Sequence, residues 1–195
     1  MLRIPSDGNG VVKFIGIDPG TSAPGVCVMS YSVPKKQIVR VAAHCFDLER
    51  LSRRSNDSGY QNPRYLRLQV FRGILKDIFK TERPLKIASE HPYINPRTPG
   101  AVIPLAECLF MTEQEVHAYD PHLCLERIDP SSIKNSVGVK GNSGDKHAMT
   151  EAIKKISAIM DVLVMDIETM DNNAVDSIAV AYCSLQRELN HEYSS

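Results

Sequence analysis

The sequence has no apolar run approaching the ~18 residues of a membrane span, and its N-terminus, MLRIPSDGNG, carries no hydrophobic stretch of the signal-peptide kind. The expectation is a cytoplasmic protein without membrane contact. Cysteine is sparse: Cys27, Cys45, Cys108, Cys124 and Cys183 are odd in number, widely spaced and without a CxxC pair. That pattern argues against a disulfide framework and a thiolate zinc site, and for reduced, mostly buried thiols. Net charge is also lacking, since 23 basic residues balance 23 acidic ones. A globally basic nucleic-acid binder is thereby excluded, while a locally basic face opposite an acidic one is not. Neither an internal repeat nor a long linker divides the chain. Its 195 residues, 43% of them hydrophobic, therefore suffice for one core and read as one domain, 1–195, with structure over about 11–189.

What is present is a series of short apolar segments. Val11 to Ile17 is a β-branched run that stops at the turn signal Asp18-Pro19-Gly20; Gly25 to Val33 and Gln37 to Phe46 follow, so the chain opens as an antiparallel meander. Leu48 to Pro63 is polar and turn-rich, and reads as a mobile, partly basic loop. Between Arg64 and Lys80, Leu68, Phe71, Leu75, Ile78 and Phe79 recur at helical spacing. Leu85 to Ser89 forms a strand ending at Glu90, Ala101 to Ala118 a strongly apolar helix, and Leu123 to Ile128 another strand. A short helix and a Gly/Asn/Ser loop fill Pro130 to Gly144, with helices over Asp145 to Met160 and Ala174 to Leu189. Three hairpin-linked strands followed by alternating helices and strands imply a mixed α/β sheet covered by helices.

Carboxylates stand at two of the strand ends. Asp18 closes the first strand and Glu90 the fourth; if those strands are neighbours, both side chains reach one edge of the sheet. Asp18 before Pro-Gly also suits an ordinary turn. Glu90, after Leu-Lys-Ile-Ala-Ser, is costly to bury unpaired and calls for a cation or solvent. On the last helix Asn173 and Asp176, three residues apart, share a face, whereas Asp171 suits a cap or dipole partner at the helix start. Asp18, Glu90 and Asp176 together make a hard oxygen cluster suited to Mg²⁺ or Mn²⁺ rather than zinc. Two such ions about 4 Å apart activate a water and stabilise the leaving oxygen of a phosphodiester.

These segments resemble a known family. Phe14-Ile15-Gly16-Ile17-Asp18-Pro19-Gly20-Thr21 resembles the first catalytic strand of the RuvC resolvases, Ala88-Ser89-Glu90-His91-Pro92-Tyr93 their second motif, and Asn173-Ala174-Val175-Asp176-Ser177-Ile178-Ala179-Val180-Ala181 their last. A fourth match covers Ile133-Lys134, Val137-Gly138-Val139, Gly141-Asn142 and Asp145-Lys146. The resemblance spans roughly Phe14 to Leu185. It implies a ribonuclease H-like fold: a mixed five-stranded sheet, three antiparallel strands then parallel ones, flanked by helices. It further implies a homodimeric crossover junction endodeoxyribonuclease that nicks two opposing strands of a four-way DNA junction. Asp18, Glu90, Asp176 and Lys146 fall on its catalytic positions; Asp18, Glu90, Asn173 and Asp176 fall on its metal positions, for two Mg²⁺ or Mn²⁺ ions. Where the family usually has an acid three residues before Asp176, this chain has Asn173, still able to offer a neutral oxygen; Asp171, five residues away from Asp176, lies on another helical face.

The resemblance also assigns DNA contacts. Tyr93 falls where the family sets an aromatic ring against bases at the junction centre, and Lys134 and Lys146 fall on its lysines near the scissile phosphate. Lys140, Lys154 and Lys155 in one region, and Arg53, Arg54, Arg64 and Arg67 in another, suit a phosphate track. Ala101, Val102, Ile103, Leu105, Ala106, Leu109, Phe110 and Met111 make one helix apolar nearly all round, which suits a dimer contact. Two other readings share parts of this pattern: a nuclease of the same fold acting on RNA, RNA/DNA hybrids or other branched DNA, and a non-catalytic junction-binding module. The actin-like kinases carry a similar first-strand turn but need a far longer chain.

Overall fold

A strand apolar at successive positions, not alternate ones, suits the middle of a sheet covered on both faces. Val11–Asp18 (β1) is such a strand. In the computed structural model, which describes residues 10–54, 62–91, 102–139 and 147–193, β1 pairs antiparallel with Gly25–Ser32 (β2), which pairs antiparallel with Gln37–Cys45 (β3). On its other side β1 pairs parallel with Lys86–Glu90 (β4), and β4 pairs parallel with Glu126–Ile128 (β5). The strand order is β3-β2-β1-β4-β5. This is the expected mixed five-stranded sheet.

Helices cover both faces. Leu48–Arg54 (α1), Pro63–Glu82 (α2) and Val102–Tyr119 (α3) bury Leu48, Leu68, Phe71, Leu75, Phe79, Cys108 and Val116 against Ile15, Ile17, Val26, Val28 and Ile87. Pro130–Ser136 (α4), Ala148–Lys154 (α5), Ser157–Met160 (α6) and Asn172–Tyr193 (α7) cover the other face, where Val12, Phe14, Cys27, Met29 and Ala88 meet Ala174, Val175, Ile178 and Ala181. Local chemistry sets the helix starts: Asn62 caps α2 ahead of Pro63, and Asp129 caps α4 ahead of Pro130. Two glycines admit α7 to the sheet. A Cβ at Gly16 would meet the Ser177 carbonyl at 2.3 Å, and one at Gly25 the Asn173 carbonyl at 1.8 Å.

Two sequence readings need correction. Leu48–Arg54 is helix, not loop: Asp47 accepts from the Arg50 N–H at 2.9 Å as a cap, and Leu48 is fully buried. Residues 55–61 lie outside the described part. Asp145 to Met160 is not one helix either, because the chain turns extended at Ile156 between α5 and α6. Ile153 and Ile159 are both fully buried. Six residues apart on one helix they would point about 120° away from each other; with the chain extended at Ile156, both are buried in the core. The segment after α6 then bonds the edge of β3, with the Val41 N–H donating to the Val162 carbonyl and the Val164 N–H to the Val41 carbonyl. All five cysteines are free thiols. No helix among the described residues is long and apolar enough to cross a membrane.

Candidate active site

Side chains alternate along a strand, so Val12, Phe14 and Gly16 of β1 face α7, and Asp18 is next in that row. In β4, Ala88 and Glu90 share that face. The parallel register pairs Gly16 with Ala88 and Ile17 with Ser89, and its next step sets Asp18 beside Glu90. Gly16 lies under Ser177 of α7, and that contact brings the preceding residue, Asp176, over the same strand ends. The dispositions of Asp18, Glu90 and Asp176 thus follow from register and one close helix contact.

Their electrostatics reflect the same convergence. Burial, and then the charges of Glu90 and Asp176, push the Asp18 carboxyl up to about 8. Glu90 is pushed up to about 7 by burial and by Asp176, against the pull of Lys134. Asp176 is raised by burial and likewise opposed by Lys134, which stands in the last turn of α4. The charges of three carboxylates, from β1, β4 and α7, therefore act on one another at one end of the sheet, and among the described residues Lys134 is the cation that opposes them. Among the described residues no three acidic, histidine or cysteine side chains are drawn close enough to hold an ion by themselves. Like charges in a desolvated hollow repel, and a cation is what would offset that repulsion. Oxygen-only donors, excess negative charge and burial fit a hard divalent ion.

The chain between β1 and β2 is fixed through its carbonyls. Gly20 accepts from the Cys108 thiol of α3 at 3.8 Å, Thr21 from Arg67 Nε of α2 at 2.8 Å, and Ser22 from the Leu48 N–H of α1 at 2.8 Å. Ala23 accepts from the Asn173 amide of α7 and, at 3.5 Å, from the Cys45 thiol, while Pro24 accepts from the Phe46 N–H at 3.0 Å. Every carbonyl from Gly20 to Pro24 is thus held, and by different elements, directly after Asp18. This clamp escaped the sequence reading because side-chain donors reaching a distant backbone leave no local pattern.

The clamp also changes how several residues read. Arg67, read from its neighbours as part of a phosphate track, donates through Nε to Thr21 and lies 3.9 Å from Glu49. Arg64 pairs with Glu107 at 2.9 Å, and Lys154 with Glu151 and Glu168 at 2.7 and 2.6 Å. Asn173 lies inside the first turn of α7, its amide nitrogen donating to Ala23, a bond that a carboxylate could not donate. Asp171 precedes α7; its charge acts on Cys45 and is not among those acting on Asp18, Glu90 or Asp176. Tyr93, Lys140 and Lys146 lie outside the described residues.

No family model and no curated protein matches the sequence. Solved structures do match. The chain aligns with Thermus thermophilus RuvC at a TM-score of 0.66 and 13% identity, covering 92% of this chain and 97% of that one. It has the fold of the RuvC resolvases. The yeast mitochondrial Holliday junction resolvase Ydc2 gives a TM-score of 0.60 at 13% identity, covering 92% and 81%. The fowlpox virus Holliday junction resolvase gives 0.52 at 12%, covering 91% and 99%. The RuvC fold accounts for the order of elements from β1 to α7, and within it the three carboxylates stand at the sheet edge just described.

Proposed function

We propose that this chain is a divalent-metal-dependent endodeoxyribonuclease that resolves four-way (Holliday) DNA junctions by phosphodiester hydrolysis, acting as a homodimer that makes paired nicks. The observation that carries the reading is the convergence of the charges of Asp18, Glu90 and Asp176 at one end of the sheet, all three half-buried and raised in pKa, two of them by neighbouring carboxylates. Asp18, Glu90 and Asp176 would hold Mg²⁺ or Mn²⁺, with Oδ1 of Asn173 as a neutral donor; two such ions supply water activation and charge stabilisation at the leaving oxygen. The chain's own residues do the rest. The clamped loop after Asp18 fixes one carboxylate in direction, so that little is lost to reorganisation when charge develops. Lys134 offsets part of the negative charge at Glu90 and Asp176 and gives an incoming phosphate one favourable contact.

The motif resemblance assigns Lys146 to the scissile phosphate and Tyr93 to stacking at the junction centre, and the clustering of lysines suits Lys140 to a backbone contact. For the dimer, α3 offers Ile103 and Phe110, 62% and 63% exposed and seven residues apart on one face, with exposed Ala106 between them. Two active sites related by a two-fold axis suit a substrate of the same approximate symmetry. The test is incubation with a labelled four-way junction, a matched linear duplex and an RNA/DNA hybrid, in Mg²⁺ and in EDTA. Paired, metal-dependent nicks confined to the junction are expected. Cleavage of the hybrid alone would move the activity to a ribonuclease, and junction binding without cutting would leave only a structural module. Sedimentation showing monomer alone, with and without junction, would remove the dimer.

A further inference from the structure

Away from the carboxylates, α2 and α3 enclose a groove of about 810 Å³ lined by Gln69, Arg72, Gly73, Lys76, Lys80 and Arg83 on one side and Glu115, Ala118 and Tyr119 on the other. Arg72, Lys76, Lys80 and Arg83 follow one another at four-, four- and three-residue steps, so they share one face of α2 and its end. At 1.5 Å per residue they extend over about 16 Å. The groove's own acid, Glu115, is buried and taken by Arg72. Asp120 sits beside Tyr119 at the far end. Lys76, Lys80 and Arg83 are exposed and have no ion pair among the described residues. In a chain of zero net charge, three uncompensated cations in one groove are a local excess.

A second observation is independent of charge. Gly73 lies in the interior of the 20-residue α2, where glycine disfavours helix, and a Cβ there would meet nothing within 4 Å. Gly16 and Gly25 are each required by the pressure of α7, whereas none of the described residues requires Gly73. It bares helix backbone between Arg72 and Lys76 and leaves room there for a close approach from outside. We infer that the α2–α3 groove is a second DNA-binding surface, receiving the phosphate backbone of a duplex arm against Lys76, Lys80 and Arg83, with Gly73 as the point of closest approach. A duplex strand carries a phosphate every 3.4 Å or so along its axis, so an extended row of cations suits it better than a single small anion would. The contact is to backbone alone and is blind to sequence.

The inference rests on the reading that DNA is the substrate, and the experiment separates the two. Binding of a four-way junction and of a matched linear duplex is measured by fluorescence anisotropy in EDTA at several salt concentrations, for the native chain, for Lys76→Ala/Lys80→Ala and for Gly73→Leu. The double variant is expected to lose at least about tenfold in affinity for both DNAs at 0.1 M salt and to flatten the salt slope by about 2, one for each lost phosphate contact. Gly73→Leu removes no charge; it is expected to weaken binding by fill of the groove while raising the melting temperature, so poor folding does not explain the loss. Native affinity and slope in both variants would overturn the inference and leave the groove to an acidic protein surface. Failure of the native chain to bind either DNA would overturn the functional reading itself.

Discussion

The strand-end hollow and the α2–α3 groove each hold an excess of one charge, yet they solve opposite problems. In the hollow the charges are negative, half-buried, only partly offset by Lys134 and drawn from three elements, and the adjoining loop has every carbonyl from Gly20 to Pro24 held. In the groove they are positive, exposed and strung along one helix. Burial makes unpaired charge expensive, so the hollow suits a small, dense counter-ion fixed in place. Exposure makes it cheap and screened, so the groove suits an extended partner that gathers many weak contacts. Removing a charge should therefore cost chemistry at the first region and affinity at the second.

The largest expected effect is at Asp18. Asp18→Asn keeps size and shape but removes a carboxylate from the hollow, and single-turnover cleavage of a four-way junction should fall by about a thousandfold or more. Junction affinity in EDTA should stay within a few-fold of native. Substantial residual cutting would show that the reacting centre lies elsewhere.

The same carboxylate gives a pH dependence of definite sign. Asp18 is held near 8 and Glu90 near 7 in the folded chain, against ordinary values of 3.8 and 4.5. Between those limits the folded state keeps protons that the unfolded chain has released, so metal-free stability falls as pH rises through the window. Each tenfold change in proton affinity is worth ~1.4 kcal/mol, so the loss between pH 5 and pH 9 is on the order of a few kcal/mol. Thermal melts in EDTA should decline across this range, Asp18→Asn should flatten the decline, and Mg²⁺ should restore more stability at pH 8 than at pH 5. A metal-free melting temperature that rises from pH 5 to pH 9 would contradict the buried cluster.

Arg67 tests whether the frame around the hollow matters as well as its charges. Arg67→Ala releases the Thr21 carbonyl, three residues after Asp18. Cleavage at saturating DNA should slow on the order of 10-fold, with affinity nearly unchanged, because a small misplacement of a reacting group lowers rate before binding. Arg67→Lys should recover part of that rate. Weaker affinity with an intact saturated rate would return Arg67 to the phosphate track suggested by its sequence neighbours.

What was legible in the sequence follows from how far each signal reaches along the chain. Asp18 and Glu90 could be found because strands end in recognisable turns, and Asp176 because three-residue spacing defines a helix face. The mixed sheet covered by helices followed from hairpins and from alternation of strand and helix, whereas the order β3-β2-β1-β4-β5 came from the structure. The helix at Leu48–Arg54 was missed because seven residues with only Leu48 and Leu51 apolar give no periodicity to read, although the capping Asp47 was visible. The break at Ile156 was missed because helical propensity continues through it, with no glycine or proline to mark the change of direction. The bonds of Arg67 to Thr21 and of Asn173 to Ala23 were not legible because they are tertiary, over sequence separations of 46 and 150 residues.

The smallest effect is also the cleanest separation of folding from function. Gly73→Ala adds a methyl group where nothing stands within 4 Å, inside a helix that glycine weakens. In the free protein it should stabilise by ~0.5 to 1 kcal/mol, a rise of roughly 2 to 4 °C in melting temperature per kcal/mol for a chain of this size. A glycine retained by the demands of packing behaves otherwise: at Gly16 the same methyl group would lie 2.3 Å from the Ser177 carbonyl and should destabilise strongly. If Gly73→Ala instead lowers the melting temperature, the bare backbone serves the fold, and the groove loses the observation that singles it out from an ordinary solvated helix face.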